Sequence, residues 1–259
     1  MSIIPPEPTV RVQQFVWQHC LDPASAGLTA AHDIVGRPDL AATYTNNPAL
    51  ILDVGCAAGG TAALMKQMFP GSRAWGIEMN RAAASLAQEK LDRVLVGKFE
   101  DFDLEKEGME KGTLDAVLLA DVLEHMYNPW NVMVTLRPFM SSIGQALMSI
   151  SNVRNLLLMD ELSNGNWTYG DAGLLDIAHI RFFTVNEIHK LCDETGYRVI
   201  GTGNSIDTRL AGFFKQHQHQ ASSDINSGRM TLKRVTAVEL LELCTAKFYF
   251  LLEKDTSKT

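Results

Sequence analysis

From residue 49 the chain alternates short apolar runs with longer segments whose apolar residues recur at helical spacing. ALILDVG, at 49–55, is an apolar run closed by glycine, the pattern of a buried strand. TAALMKQMF follows with helical periodicity and stops at Pro70 and Gly71. RAWGIEM reads as a second strand, NRAAASLAQEKL as an Ala-rich second helix, and DRVLVG as a third strand. LDAVLLAD is a fourth strand with a near-continuous apolar centre. NPWNVMVTLRPFM predicts a helix with Pro129 in its first turn, where the missing N–H has no helical partner to lose. QALMSIS, YRVIGTG and AKFYFLLEK supply the fifth, sixth and seventh strands. Between the fifth and sixth, TVNEIHKLCDETG predicts a helix with Thr184 as N-cap, Glu187 three residues on, and Gly196 at its end. Strands alternating with helices predict an α/β fold, a mostly parallel sheet covered on both faces.

Two segments lack this regularity. Residues 1–48 read as an N-terminal extension, with an extended start at Pro5 and Pro6 and a short helix in VRVQQFVWQHCL. Asn46, Asn47 and Pro48 then mark a loop. Residues 205–244 form an insertion before the last strand. It joins the polar KQHQHQASSDINSG, expected as a mobile loop, to a helix in VTAVELLELC. There is no internal repeat and no second domain, so 49–259 is expected as one domain.

Composition narrows the class. The chain carries a net charge of -7 with its basic residues scattered, which argues against a nucleic-acid partner. Cys20, Cys56, Cys192 and Cys244 are widely spaced and form no CxxC pair, as expected of free thiols in a reducing compartment. MSIIPPEPTV lacks the basic start and apolar run of a signal peptide. No stretch approaches the ~20 apolar residues of a membrane span, so no membrane partner is expected. The expected location is cytoplasmic.

The turn after the first strand carries the chemistry. Gly55, Gly59 and Gly60 lie where glycine lets backbone pass close to a ligand. A dinucleotide turn needs G-x-G-x-x-G, with a pyrophosphate at the helix N-terminus. Here the sequence from Gly55 is G-C-A-A-G-G, and the close-approach glycine is Ala57. Asp53, an acid two residues before the first glycine, would repel a pyrophosphate and suits a cationic group.

ILDVGCAAGG resembles the first motif of class I S-adenosylmethionine-dependent methyltransferases. The second strand ends in Glu78, which matches the family's ribose-binding acid. LLADVLEHMYNPW, SISNVRN and GNWTYGDAGLLDIAHIRFFTVNEI narrow the resemblance to small-molecule methyltransferases. Those are associated with polysaccharide and glycan biosynthesis and, more distantly, with ubiquinone-type O-methylation. The resemblance covers roughly residues 45–200. It implies a Rossmann-like seven-stranded sheet with an antiparallel last strand, and S-adenosyl-L-methionine as cofactor with S-adenosyl-L-homocysteine as product. It places Asp53, Gly55, Cys56, Ala57, Gly59, Glu78, Met79, Ala120 and Asp121 around that cofactor. Two departures stand out. Lys98 occupies the position of the family's adenine-side acid, leaving the Phe99 backbone or Asp101 to serve, and Ser151 stands where a related pattern has proline.

Methyl transfer from a sulfonium is an in-line displacement in which positioning does much of the work. A hydroxyl acceptor also needs a base near neutral pH. His125 and His179 are the two candidates for that base. Glu124 and Arg181 are candidates for holding the acceptor, Arg181 through an anionic group or else within a structural ion pair. Trp167 and Tyr169 form either a sugar-stacking wall or buried packing on a lid segment, 152–183. NPW at 128–130 reads as a helix start, and HQH at 217–219 as polar loop rather than metal site. The expected partner is a small-molecule acceptor, a sugar or glycan precursor among them. Monomer and dimer are both compatible with the sequence. The alternatives are an NAD(P)-dependent oxidoreductase and a non-catalytic cofactor-binding module of the same fold.

Overall fold

The computed structural model describes residues 36–258. The helix expected in VRVQQFVWQHCL lies outside these residues. Seven strands form one sheet: β1 (Leu50–Val54), β2 (Arg73–Glu78), β3 (Arg93–Val96), β4 (Leu114–Ala120), β5 (Met140–Ser151), β6 (Tyr197–Ile206) and β9 (Thr245–Lys254). Their order is β3-β2-β1-β4-β5-β9-β6. Every neighbouring pair from β3 to β5 is parallel, and β9 runs antiparallel between β5 and β6. The α/β sheet with an antiparallel last strand is therefore present, and all seven strands fall where the pattern put them.

The strands read as continuous apolar runs because both faces are covered. All five residues of β1 are buried, Ile51 facing one core and Leu52 the other. One face packs against α4 (Pro129–Leu136) and α6 (Val185–Glu194) through Val132, Leu136, Ile188 and Leu191. The other packs against α1 (Pro38–Ala41), α2 (Gly60–Met68) and α3 (Arg81–Gln88) through Leu40, Met65 and Ala87. Thr184 and Pro129 stand where the sequence signals put them. Asn80 caps α3, Asn128 caps α4 with Pro129 inside it, and Thr184 caps α6. Tyr44, in the stretch before β1, is buried and donates its hydroxyl to the Val117 carbonyl at 2.5 Å.

Within 205–244 the helix expected in VTAVELLELC is present, and KQHQHQASSDINSG is structured rather than a mobile loop. The segment folds into α7 (Ala211–His217), a hairpin of β7 (Ser222–Ser227) and β8 (Met230–Thr236), and α8 (Ala237–Cys244). With α5 (Leu156–Ser163) these enclose a third cluster of Leu156, Leu210, Ile225, Val235, Leu240 and Leu243. The hairpin hides from a pattern reading because only alternate residues of short polar strands point inward. His217 ends α7, its Nδ1 within 2.9 Å of the Phe213 carbonyl. Among the described residues no group of three potential ligands could hold a metal ion. Also among them, no helix is long and apolar enough to cross a membrane.

Gly59 shows how tightly the turn after β1 is built. Its φ is +74°, and an added Cβ would sit 3.2 Å from Ala87 and Leu91. A side chain there pays both backbone strain and crowding. Gly59→Ala is expected to lower stability by about 2 kcal/mol in urea unfolding.

Candidate active site

The order of parallel strands reverses between β1 and β4, the place where open sheets bind ligands beyond their carboxyl ends. A cleft of about 290 Å³ lies there. Its cofactor-side wall is the turn Gly55–Gly59. Gly55 has φ +70° and could not carry a Cβ, which would meet Val122 at 2.7 Å. Its N–H and that of Cys56 are tied to the Ile77 carbonyl at 2.8 and 3.1 Å. Ala57 also lies in the left-handed region, with φ 46°, so the replacement of a family glycine costs more here than an added methyl group.

Asp53 and Glu78 stand under this turn, both buried. Burial, and then the neighbouring Glu78 carboxylate, push the Asp53 carboxyl up to about 8; the Ala62 N–H works the other way. Glu78 accepts the Ala57 N–H at 2.9 Å and the Asn80 N–H at 2.7 Å, which fixes the end of β2 against the turn. Cys56, Ala57, Ala120 and Asp121 line the cleft with Asp53 and Gly55. Gly59 stands behind it, capping α2. Met79 is half-buried beyond Glu78. The Phe99 ring is in the core, and the Asp101 carboxylate accepts the Lys98 N–H at 3.0 Å.

Asp121 anchors the opposite side. It adopts φ 52°, rare for a residue with a side chain. One carboxylate oxygen accepts from Lys247 Nζ at 2.6 Å and Arg37 Nη1 at 3.2 Å, the other from the Ser149 hydroxyl at 2.7 Å. Burial works to raise this carboxyl, but Lys247, Ser149 and Arg37 together hold it below the usual range. Arg37 also binds Asp39 through two nitrogens and the Tyr249 hydroxyl. Its backbone N–H reaches Thr61 at the start of α2.

Two imidazoles face this network, His125 from the turn that follows β4 and His179 from the loop that follows α5. His125 Nδ1 lies 3.2 Å from the Ala178 carbonyl, and His179 Nδ1 lies 3.2 Å from the Leu174 carbonyl. A carbonyl only accepts, so each Nδ1 carries the proton and each Nε2 keeps its lone pair. The rings meet edge to face with centroids 4.6 Å apart. Burial lowers both pKa values, and for His179 the neighbouring imidazole adds to it.

Four residues expected at the acceptor lie elsewhere. Glu124 is 1% exposed and is outside the cleft lining. The Arg181 guanidinium stacks on Tyr127 and donates to the Ile180 and Tyr127 carbonyls. Trp167 packs on Phe182 with centroids 5.4 Å apart, and Tyr169 is exposed. Arg37, Lys247, Ser149 and Asp176 belong to the site without having been singled out in the sequence. Only Lys247 has a legible signal, a cation just before the apolar run FYFLL.

A glycine turn with a buried acid beneath it suits a cofactor that carries a positive charge. S-adenosylmethionine fits this site: a cationic group beside Asp53 is what would let that raised carboxyl ionise, and the glycine turn leaves room for the ligand's approach. A family model described as a methyltransferase domain matches residues 30–202, and the chain belongs to that family. Its cofactor is S-adenosyl-L-methionine. Comparison with curated protein sequences gave no match. Among solved structures, the fold is similar to a SAM-dependent methyltransferase from Archaeoglobus fulgidus, with TM-score 0.55, 14% identity, and 82% of this chain and 88% of that one covered. It is similar to a possible histamine N-methyltransferase from Thermotoga maritima, with TM-score 0.53, 13% identity, and coverage of 84% and 86%. It is also similar to a plantazolicin methyltransferase in complex with a substrate analogue and S-adenosylhomocysteine, with TM-score 0.53, 16% identity, and coverage of 84% and 82%.

Proposed function

We propose that this methyltransferase acts on an oxygen of a small, polar, hydroxyl-rich acceptor such as a sugar or glycan precursor. The observation that carries this reading is the pair of neutral imidazoles with free Nε2 atoms, facing the cofactor turn across one cleft. The bound cofactor supplies an electrophilic methyl group on a sulfonium. Asp53 sits where it can balance that ligand's positive charge, and Glu78 where it can take ribose hydroxyls. His179 or His125 takes the acceptor's proton through Nε2. Lys247, Ser151 and Asp176 surround the acceptor with donors and acceptors, and the cleft lining holds no apolar side chain larger than those of alanine and cysteine. That lining favours a polyol over a planar phenol or a lipid. In this reading residues 49–259 are the catalytic domain, with 152–183 and 205–244 on its acceptor side. Methyl-labelled cofactor offered with a panel of sugars, sugar nucleotides, phenols and amines tests it. Label is expected in a sugar-type product; label only in phenols or amines would reject the acceptor class.

The same geometry fixes a pH dependence. A buried imidazole is driven toward its neutral, proton-accepting form, so both histidines are expected to titrate below their ordinary value of about 6.5. Proton NMR of the imidazoles, assigned with His125→Asn and His179→Asn, measures the midpoints. The base is then already in its working form at neutral pH, and a midpoint above that ordinary value would contradict the assignment.

A further inference from the structure

Glu124 is a junction. Its backbone carbonyl accepts the N–H groups of Ile180 and Arg181 at 2.9 and 3.0 Å. Its Oε1 accepts the Ser151 N–H, at the end of β5, at 3.2 Å. The adjacent His125 donates to Ala178, and the Val153 N–H reaches the Phe183 carbonyl at 3.0 Å. Together these bonds tie the loop 174–183, with His179 on it, to the ends of β4 and β5. The second carboxylate oxygen, Oε2, is buried with no hydrogen-bond partner among the described residues. An unpartnered buried oxygen is tolerable on a neutral acid and expensive on a carboxylate.

We propose that Glu124 is a positioning residue: as a neutral acid it holds the loop carrying His179 against β4 and β5, and its ionisation loosens that hold. A charge buried this deeply reaches water only if the turn Leu123–His125 moves, and the loop's bonds are made by that same turn. The groups facing Glu124 decide where ionisation falls. Burial first, and the Asp121 carboxylate from the end of β4 second, raise its pKa to about 7. The Ser151 N–H from β5 and Lys247 from β9 oppose them. His125 shares its turn, and His179 and Asp176 lie on the loop.

In an open loop the carboxyl returns to its ordinary value of about 4.3. The hold is therefore complete below that value, weakens as pH rises, and has reached its minimum above about 7. The two imidazoles act in the opposite sense, since their lowered pKa values make acid favour the open loop. The Glu124 contribution is thus the difference between the wild-type protein and a variant that cannot ionise.

Amide exchange on the full-length protein isolates it. Protection of the Ile180 and Arg181 amides in Glu124→Gln, divided by that in wild type, is expected to grow at least about tenfold between about pH 5 and about pH 7. The same ratio for amides of β1 and β4 should stay constant. Glu124→Met, apolar and of similar length, gives the same rise and serves if the Gln variant does not fold. A ratio independent of pH overturns the proposal. The readout is loop opening, so it stands apart from the identity of the acceptor.

Discussion

Asp53→Asn is expected to make the ligand-free protein more stable at alkaline pH while weakening S-adenosylhomocysteine binding about a hundredfold. Both effects come from one buried carboxyl. Burial and Glu78 hold its pKa at about 8 in the folded chain, far above the ~3.9 of an unfolded aspartate. A raised carboxyl contributes stability that is complete below the unfolded value and lost as pH rises through the folded one. Asparagine has no such loss. The two proteins should match in stability near pH 4, and the variant should lead by on the order of 2 kcal/mol near pH 9, after allowance for relaxation of the site. Urea unfolding at the two pH values reads the stability, and calorimetry with the product reads the affinity. A variant that is less stable at alkaline pH, or that binds the product undiminished, would remove Asp53 from the role given it here. The ammonium of the product is sufficient for the test, because it is the positive charge that Asp53 would balance.

Asp121→Ala is expected to cost about 3 kcal/mol of folding stability. The lost carboxylate is shared by Lys247 and Arg37, with side chains 29% and 17% exposed, so its removal leaves two half-buried cations facing one another. Lys247→Met in the same background should recover part of that loss by removing the repulsion. The interaction in the double-mutant cycle is expected near 2 kcal/mol and should shrink in high salt. Additive losses would mean that the strained turn at Asp121, rather than the ion pairs, is what the residue maintains.

How far the sequence revealed this molecule depended on what each residue contacts. Buried parallel strands face core on both sides, so runs such as LILDV and LDAVLLA are apolar almost throughout and announce themselves. The cap at Thr184 announces itself too, because it satisfies a helix-end N–H group locally. The turn after β1 was legible for the same reason, as Asp53, Gly55 and Gly59 lie within a few residues of one another. The ion-pair network across the cleft was not. Arg37, Asp121 and Lys247 meet across separations of 84 and 126 residues, and nothing local to any of them encodes the meeting. Glu124 was legible as a polar residue in DVLEH but not as a buried one. Its burial depends on a loop that returns from residue 174 onward.

S-adenosylmethionine, and not a dinucleotide, is the ligand expected in the cleft over Gly55–Gly59. Parallel calorimetric titrations of the wild-type protein with S-adenosylhomocysteine and with NADH test this expectation most directly. One S-adenosylhomocysteine is expected to bind per chain, with no heat of binding from NADH. Binding of NADH, with S-adenosylhomocysteine failing to bind the folded protein, would contradict that expectation.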